Sequence, residues 1–194
     1  MSKGVYWMRK RRESWLLVGL VLLLLTACSD QKFMSKEPTG YTLAVSDGVG
    51  KQKILYLTAE HPDVKLVIPL IEQFLVIDQT QDYNNPTWEA LTALADAKLI
   101  TARYDKEIDT LVEHSITKRL HDSHVKRIVF MGKEVDRATV TAELNVVYTS
   151  VGERYSGWYD IKLDEPTPIE ATLDLHKQEG QWLVKSTSYA HLAP

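Results

Sequence analysis

Cysteine is the scarcest reactive residue of this sequence, with one, Cys28, among 194 residues. A single thiol forms no disulfide within the chain, and it cannot supply the several sulfur ligands of a structural zinc or iron–sulfur site. Those classes of protein are therefore excluded, and Cys28 needs an explanation of its own.

Several motifs of enzymes and cofactor sites are also missing. The chain has no glycine-rich phosphate loop, no Gly-x-Ser-x-Gly nucleophile turn and no His-Glu-x-x-His zinc motif. We therefore predict no catalytic residue, no metal and no cofactor, and a non-enzymatic protein is favoured over an enzyme.

Positive charge is scarce beyond the first 27 residues. Those residues hold five of the 23 Lys and Arg residues and only one of the 26 Asp and Glu residues, so the rest of the chain carries a formal charge of −7. Nucleic-acid binding normally requires a basic face that neutralises phosphates. A nucleic-acid partner is therefore not expected.

A long hydrophobic run is missing as well. The apolar stretch from Trp15 to Ala27 has 13 residues, whereas a helix that crosses the hydrocarbon core of a membrane needs about 20. A basic segment, then a short apolar stretch, then small residues are typical of a secretory signal peptide. We predict that residues 1–27 are such a peptide, removed on export.

The segment Leu25-Thr26-Ala27-Cys28 resembles the lipobox of bacterial lipoproteins. In that family the cysteine thiol receives a diacylglyceryl group, the chain is cut before the cysteine, and the new amino terminus is often acylated too. More than one acyl chain gives stable anchoring. The resemblance implies a protein lipid-anchored through Cys28 on the exported side of the cell membrane. With Ser29 next to the cysteine, it implies the outer membrane if the cell has one.

The first part of the exported chain is predicted to be a tether. Residues 28–40 are polar, show no sustained period and end in a Pro/Gly cluster. A small segment of strands and helix is predicted over 41–83. It opens with paired strands at 41–45 and 52–57, because Asp47-Gly48 and Gly50 between them supply the turn residues of a hairpin.

Residues 64–79 leave two interpretations open. One is a strand at 64–68 followed by a helix that opens at Pro69. The other is a single helix from Pro62 with Pro69 inside it. The first is preferred, because an interior proline costs a helix about 3 kcal/mol.

Two amphipathic helices are predicted next. Asn85 can cap the first, Pro86 fits its first turn, and apolar residues recur at helical spacing up to residue 102. That apolar face is Trp88, Leu91, Ala95, Leu99 and Ala102. Asp105 can cap a second, shorter helix with Ile108, Leu111, Val112 and Ile116 on one face.

From Val125 the apolar period changes to two, which indicates strands with one buried face. Strands are predicted over 137–150, over 153–164, over 168–177 and from Gln181. The second has Tyr155, Tyr159, Ile161 and Leu163 inward. Turns are predicted at Gly132, at Gly152, around Pro166 and Pro168, and at Gly180. Because short connections join only antiparallel neighbours, the predicted fold class is α+β, with helices packed on one face of a curved antiparallel sheet.

This order of elements resembles the NTF2-like (cystatin-like cone) superfamily. The resemblance lies in "ALADAKLITARYDKEIDTLVEHSITKRL" leading into strands, and in a closing hairpin with Gly180, Trp182 and Val184. It implies an NTF2-like domain over 84–191. Members include isomerases, dehydratases, ligand pockets and non-enzymatic assembly modules, so the fold alone does not define a function.

Candidate functional residues are few. Four polar side chains are candidates for a pocket inside the cone, either for binding or for acid–base chemistry: Asp109, His114, Tyr148 and Tyr159. Core packing is the alternative for the two tyrosines. The histidines His114, His121 and His124, near Glu113 and Asp122, lack the i, i+4 spacing of a helical zinc pair, so no metal site is predicted.

Trp158 alternates outward from the predicted strand and is a candidate contact for a protein partner. The alternative is that it packs under the N-terminal hairpin or the helix after it. The nearby acids are interpreted as a solvated strand face: Asp160, Asp164, Glu165, Glu170 and Asp174.

Two functional hypotheses result. The first is a membrane-anchored envelope lipoprotein that acts as a non-enzymatic interaction or assembly module, with a protein partner or as a homodimer. The second is a small-molecule-binding or catalytic pocket within the cone.

Overall fold

The computed structural model describes residues 32–46, 52–132 and 134–192. The predicted signal peptide, Cys28 and the hairpin turn at 47–51 lie outside the described residues. Within the described ranges, no helix combines the length and the apolar character needed to span a membrane.

The described elements alternate between helices and strands in the first half of the chain, and strands dominate the second half. Their order is β1 (Met34–Ser35), β2 (Tyr41–Ser46), β3 (Gln52–Leu57), α1 (Pro62–Gln79), β4 (Gln81–Asp82), a 3-10 helix (Glu89–Ala93), α2 (Ala97–Glu113), β5 (Thr117–Met131), β6 (Arg137–Ser150), α3 (Glu153–Tyr159), β7 (Pro166–Gln178) and β8 (Gln181–His191).

One sheet joins all the described strands, in the order β1-β3-β2-β5-β6-β7-β8, with β4 paired to β5. The predicted α+β class is confirmed, and β2 and β3 pair as predicted, with Leu43 opposite Leu55. The sheet is mixed rather than wholly antiparallel, because β2 runs parallel to β5. A parallel pair needs a long crossover, and here α1 and α2 lie between the two strands.

The helices and the inner face of the sheet share one core. The inward residues of β6 are buried as their alternation predicts, from Ala138 to Tyr148, and so are Ile169, Ala171, Leu173 and Leu175 of β7. Leu57 at the end of β3 and Val64 of α1 belong to the same core. The N-terminal hairpin therefore extends the sheet and packs with the rest of the domain.

Helix α1 corrects the preferred interpretation of residues 64–79. It is one helix from Pro62 to Gln79, with Pro69 inside it on an exposed position. Six of its seven buried side chains form one stripe at helical spacing: Val64, Val67, Ile71, Phe74, Leu75 and Asp78. Gln79 is the seventh. Burying a large apolar side chain contributes about 1.5–3 kcal/mol, so this stripe outweighs the cost of one proline.

The two helices predicted over 85–116 are divided differently in the structure. The first stops as a 3-10 helix at Ala93, and α2 then runs unbroken from Ala97 to Glu113 through the predicted cap at Asp105. Between them, the Asp96 amide donates to the Val184 carbonyl at 2.8 Å, and the Val184 amide donates to the Leu94 carbonyl at 3.0 Å. These bonds to β8 interrupt the helix, and Asp96 caps α2.

Two further predictions at the strands were wrong. Residues 153–159 form helix α3 rather than a strand, and Leu163 is exposed rather than inward. The Tyr155 and Tyr159 spacing fits one helical face as well as alternate strand positions, and a seven-residue stretch cannot separate the two by period. Strand β5 begins at Thr117, eight residues before the predicted change of period, because its register shifts disturb the alternation.

The closing hairpin follows its prediction. Glu179 and Gly180 both have positive φ between Gln178 and Gln181, which is the geometry of a two-residue hairpin turn and favours glycine. Gly132 also lies in a turn. The turn predicted around Pro166 and Pro168 lies before Pro166, because both prolines belong to β7.

Candidate functional site

A cavity of about 220 Å³ lies between the helices and the sheet. Its walls come from α2, α3 and the strands β5, β6, β7 and β8, with Gln79 at the end of α1. Leu111, Ile116 and Ile169 give it an apolar side. The lining also includes the ionisable groups Arg103, Glu107 and Lys118, which is unusual for a domain interior, because buried charges are rare unless they are paired.

Arg103 of α2 is the centre of a buried network of charges. Its guanidinium forms an ion pair with Asp78 at 3.3 Å and a second with Glu107, and it also contacts the Thr187 hydroxyl. The guanidinium lies 5.1 Å above the Tyr189 ring. Burial disfavours the Arg103 charge, but Asp78, Tyr189 and Glu107 outweigh this and raise the Arg103 pKa. The Arg103 charge is therefore compensated by carboxylates of the protein.

Asp78 is fully buried and accepts hydrogen bonds from two further side chains. The Tyr189 hydroxyl donates to its Oδ2 at 2.5 Å, and Gln79 Nε2 donates to the same atom at 2.6 Å. Burial, followed by the charge of Asp78, raises the pKa of Tyr189. Tyr189 consequently remains a neutral hydrogen-bond donor.

Lys118 of β5 is held differently from Arg103. Its Nζ donates to Gln79 Oε1 at 3.0 Å, and among the described residues no carboxylate lies within ion-pair distance of it. Burial lowers the Lys118 pKa, and Arg103 also lowers it, while Asp78 and Glu107 act against them. An ammonium has three donor hydrogens, so two remain for whatever occupies the cavity.

Three more polar groups line the cavity beside Lys118. Burial raises the pKa of Tyr148, and it raises the pKa of Tyr155 to about 12, so both hydroxyls stay protonated. His191 Nδ1 is buried and has no hydrogen-bond partner within the described part of the chain. Burial, followed by the charge of Lys118, lowers the His191 pKa. The cavity therefore offers hydroxyl donors and a neutral imidazole around one ammonium.

The four residues predicted for a pocket are separated in the structure. Tyr148 lines the cavity and is 2% exposed. Asp109 is exposed on α2. His114 follows the end of α2, where its ring contacts Tyr155 at 5.1 Å. Tyr159 is exposed on α3 and stacks on His191 at 4.2 Å. The structure thus brings one of the four, Tyr148, into the cavity and places two others, His114 and Tyr159, against residues of its wall.

Trp158 lies on the outer side of α3 and is 56% exposed. Its ring contacts His114 at 5.7 Å, and Arg154 lies 4.8 Å from its centre. The alternative, in which it is buried under the hairpin or α1, does not fit this exposure. Together with Tyr159 and Leu192, it forms what we call the aromatic surface.

A groove of about 590 Å³ runs along the aromatic surface, between α3 and the end of β8. Tyr155, Tyr189 and His191 line both this groove and the internal cavity. The two spaces are therefore neighbours.

The histidine cluster does not form a metal centre. Across the described ranges, no group of three or more His, Cys, Asp or Glu side chains is arranged to hold a metal ion. His121 and His124 are exposed on β5, and His121 lies 3.8 Å from Asp122.

Sequence reasoning missed the residues that build the charged wall: Asp78, Arg103, Glu107, Lys118 and Tyr189. One feature of the sequence, the position of Asp78, could have indicated this wall. If 62–79 is one helix, Asp78 falls in the apolar stripe three or four residues after Phe74 and Leu75. An acid in that position points to a buried partner.

No protein-family model matches the chain, and no curated protein matches it. Solved structures similar to it include the intermembrane space region of the chloroplast protein ARC6, with 10% identity, a TM-score of 0.45, and coverage of 64% of this chain and 93% of that one. The NTF2-like potential transfer protein TraM from the Gram-positive conjugative plasmid pIP501 has 14% identity, a TM-score of 0.43, and coverage of 66% and 96%. An IcmL-like type IV secretion system protein from Legionella pneumophila has 13% identity, a TM-score of 0.46, and coverage of 69% and 96%. At these levels the similarity assigns neither a family nor a function to this chain.

Proposed function

We propose that this chain is an exported envelope lipoprotein, anchored through Cys28, whose cone-shaped domain is a protein-interaction module. Residues 28–40 would be the tether between the membrane and the domain. The observation that carries the interaction is the aromatic surface, where Trp158, Tyr159 and Leu192 remain exposed beside a groove. Exposed Trp and Tyr flanked by Arg are the residue types that dominate binding energy at protein interfaces.

The charge around the aromatic surface indicates the kind of partner. Arg154 is already stacked on Trp158, whereas Asp160 lines the groove, and the exposed acids Glu153 and Glu165 lie near it in sequence. The chain beyond residue 27 is also acidic as a whole. Complementary charge favours correct partners over others. We therefore expect a protein that presents an apolar side chain with basic residues beside it.

Site-specific photocrosslinking tests the interaction. Benzoylphenylalanine in place of Trp158 is expected to give one crosslinked species in the membranes of the producing cell. The same amino acid in place of Leu66, equally exposed on α1, is the matched control and should not give that species. Raising the ionic strength to about 1 M shortens the screening length to about 3 Å and should lower the yield several-fold. The same product from both positions, or none from position 158, contradicts the proposal.

Metabolic labelling with an alkyne fatty acid tests the anchor. The chain should carry the label, and Cys28→Ser should abolish it and release the protein from the membrane fraction, because no other thiol exists in the sequence. Ser29→Ala, which leaves the thiol in place, is the control and should keep the label. Label that persists on Cys28→Ser refutes the lipid anchor.

The cavity supports a second candidate function, the binding of a small ligand. The observation that favours it is a space of about 220 Å³ lined by Lys118, Tyr148, Tyr155 and His191. Among the described residues His191 Nδ1 has no hydrogen-bond partner, and Lys118 Nζ donates only to Gln79. Pockets for drug-sized ligands run from about 300 to 1,000 Å³. The ligand is therefore smaller than these.

A further inference from the structure

We propose that the cavity binds a small organic monocarboxylate, with the carboxylate on Lys118 and the hydroxyl of Tyr148 and the carbon skeleton against Leu111, Ile116 and Ile169. The inference rests on the second function proposed above, the ligand-binding cavity, and it names the class of ligand. Three observations support it: the state of the charges, the volume, and a lining that holds both apolar and polar side chains.

The charges single out Lys118 as the anchor. Arg103 is engaged by Asp78 and by Glu107, so its charge is already compensated. The Glu107 side chain is 29% exposed, so solvent screens its charge. Lys118 has a neutral amide oxygen as its acceptor. Asp78 and Glu107 act on this partly buried ammonium from beyond ion-pair distance, and a carboxylate bound in the cavity would give it a direct counter-ion.

The volume and lining restrict the anion. The cavity volume of about 220 Å³ is many times the roughly 10–15 Å³ that one water needs by this measure, and it is more than an inorganic anion of one central atom fills. Its apolar side makes no hydrogen bonds to such an ion but suits a hydrocarbon. One compensating cation also matches one negative charge rather than the two of a phosphate monoester. An organic monocarboxylate satisfies all three conditions.

Binding should also take up a proton. The titratable or charged groups that line the cavity with Lys118 are Glu107 and Arg103 of α2, Tyr148 of β6, Tyr155 of α3, and Tyr189 and His191 of β8. Of these, Glu107 and Arg103 shift the Lys118 pKa, together with Asp78 behind Gln79. Burial lowers the Lys118 pKa in the empty cavity. A carboxylate beside the amine stabilises the charged form and raises that pKa again. At a pH between the Lys118 pKa of the empty cavity and that of the occupied cavity, binding is accompanied by protonation of Lys118.

Titration calorimetry of the full chain, purified in a non-ionic detergent, tests the proposal with benzoate and benzamide as probes. They have nearly the same shape, but only benzoate is an anion. We expect one benzoate per chain, bound at least tenfold more tightly than benzamide. In a series of pH values below the ordinary Lys118 pKa, the heat should depend on the ionisation enthalpy of the buffer in the range between the Lys118 pKa of the empty and of the occupied cavity. Lys118→Met should weaken benzoate at least tenfold and abolish the buffer dependence. Lys126→Met, on the same strand but exposed and paired with Glu143, should bind as the unchanged protein does.

The outcomes separate this inference from the ligand-binding function on which it rests. If benzamide binds as tightly as benzoate, the cavity is a ligand site but the carboxylate assignment is overturned. If benzoate binds Lys118→Met with unchanged affinity, Lys118 is not the anchor. If neither probe binds at millimolar concentration, both the inference and the ligand-binding function fail. Circular dichroism melting of each variant shows whether lost binding reflects lost folding. If Lys118→Met loses its fold, Lys118→Arg, which keeps a cation, is measured instead and should bind benzoate more tightly than benzamide.

Discussion

Replacing Asp78 by alanine is expected to lower the free energy of unfolding by about 3–5 kcal/mol. The carboxylate is fully buried and serves Arg103, Tyr189 and Gln79 at once. Without it, Arg103 keeps Glu107 but loses its buried counter-ion, and two donors lose their acceptor, each at about 1–3 kcal/mol. Total stabilities are about 5–15 kcal/mol, so the change is a large share of the whole. Urea unfolding followed by circular dichroism measures it.

Two further variants separate charge from hydrogen bonding at Asp78. Asp78→Asn keeps the volume and one acceptor oxygen but removes the charge, so it should fall between the original protein and Asp78→Ala. In the double variant Asp78→Leu with Arg103→Met, neither charge remains, and we expect it to be less destabilised than the sum of the single changes. A buried pair replaced by apolar residues is often neutral in stability, whereas a broken pair is not. A loss below about 1 kcal/mol in Asp78→Ala would show that this network contributes little.

Local sequence patterns predicted the strands with one buried face most accurately. In β6 and β7 the alternation from Ala138 to Tyr148 and from Ile169 to Leu175 matches the buried positions. In this region the two faces of the sheet differ in solvent exposure, so the period is visible in the sequence. The same reasoning failed at α3, which is short and exposed and buries no residue fully.

The charged wall of the cavity could not be predicted in the same way. Asp78, Arg103, Lys118 and Tyr189 come from four different elements and from positions up to 111 residues apart. No local spacing relates them, because they meet only when α1, α2, β5 and β8 pack together. Tyr148 was identified because its own strand shows it to be inward, and inward residues near the end of a strand can line a cavity as well as fill a core.

Side chains of the closing hairpin hold the first turn of α1 in place over the sheet. Asp63, in the first turn of α1, accepts hydrogen bonds from Trp182 Nε1 at 2.9 Å and from Lys177 Nζ at 2.7 Å. Lys177 and Trp182 pair across β7 and β8, and the ring of Trp182 packs edge-on against Phe130 of β5 at 5.8 Å. The tryptophan of the Gly-x-Trp-x-Val segment therefore connects the hairpin, the helix and the sheet.

Replacing Trp182 by alanine is accordingly expected to lower the free energy of unfolding by about 3–5 kcal/mol, because a side chain that is 4% exposed leaves a cavity behind. Trp182→Phe keeps the contact with Phe130 but removes the bond to Asp63, and it should cost about 1–3 kcal/mol. Trp158→Ala, at an exposed tryptophan, is the control and should cost less than about 1 kcal/mol. Urea unfolding of each variant, followed by circular dichroism, gives the comparison. Equal losses for Trp182→Phe and Trp182→Ala would mean that the hydrogen bond to Asp63, rather than packing against Phe130, holds α1 to the hairpin.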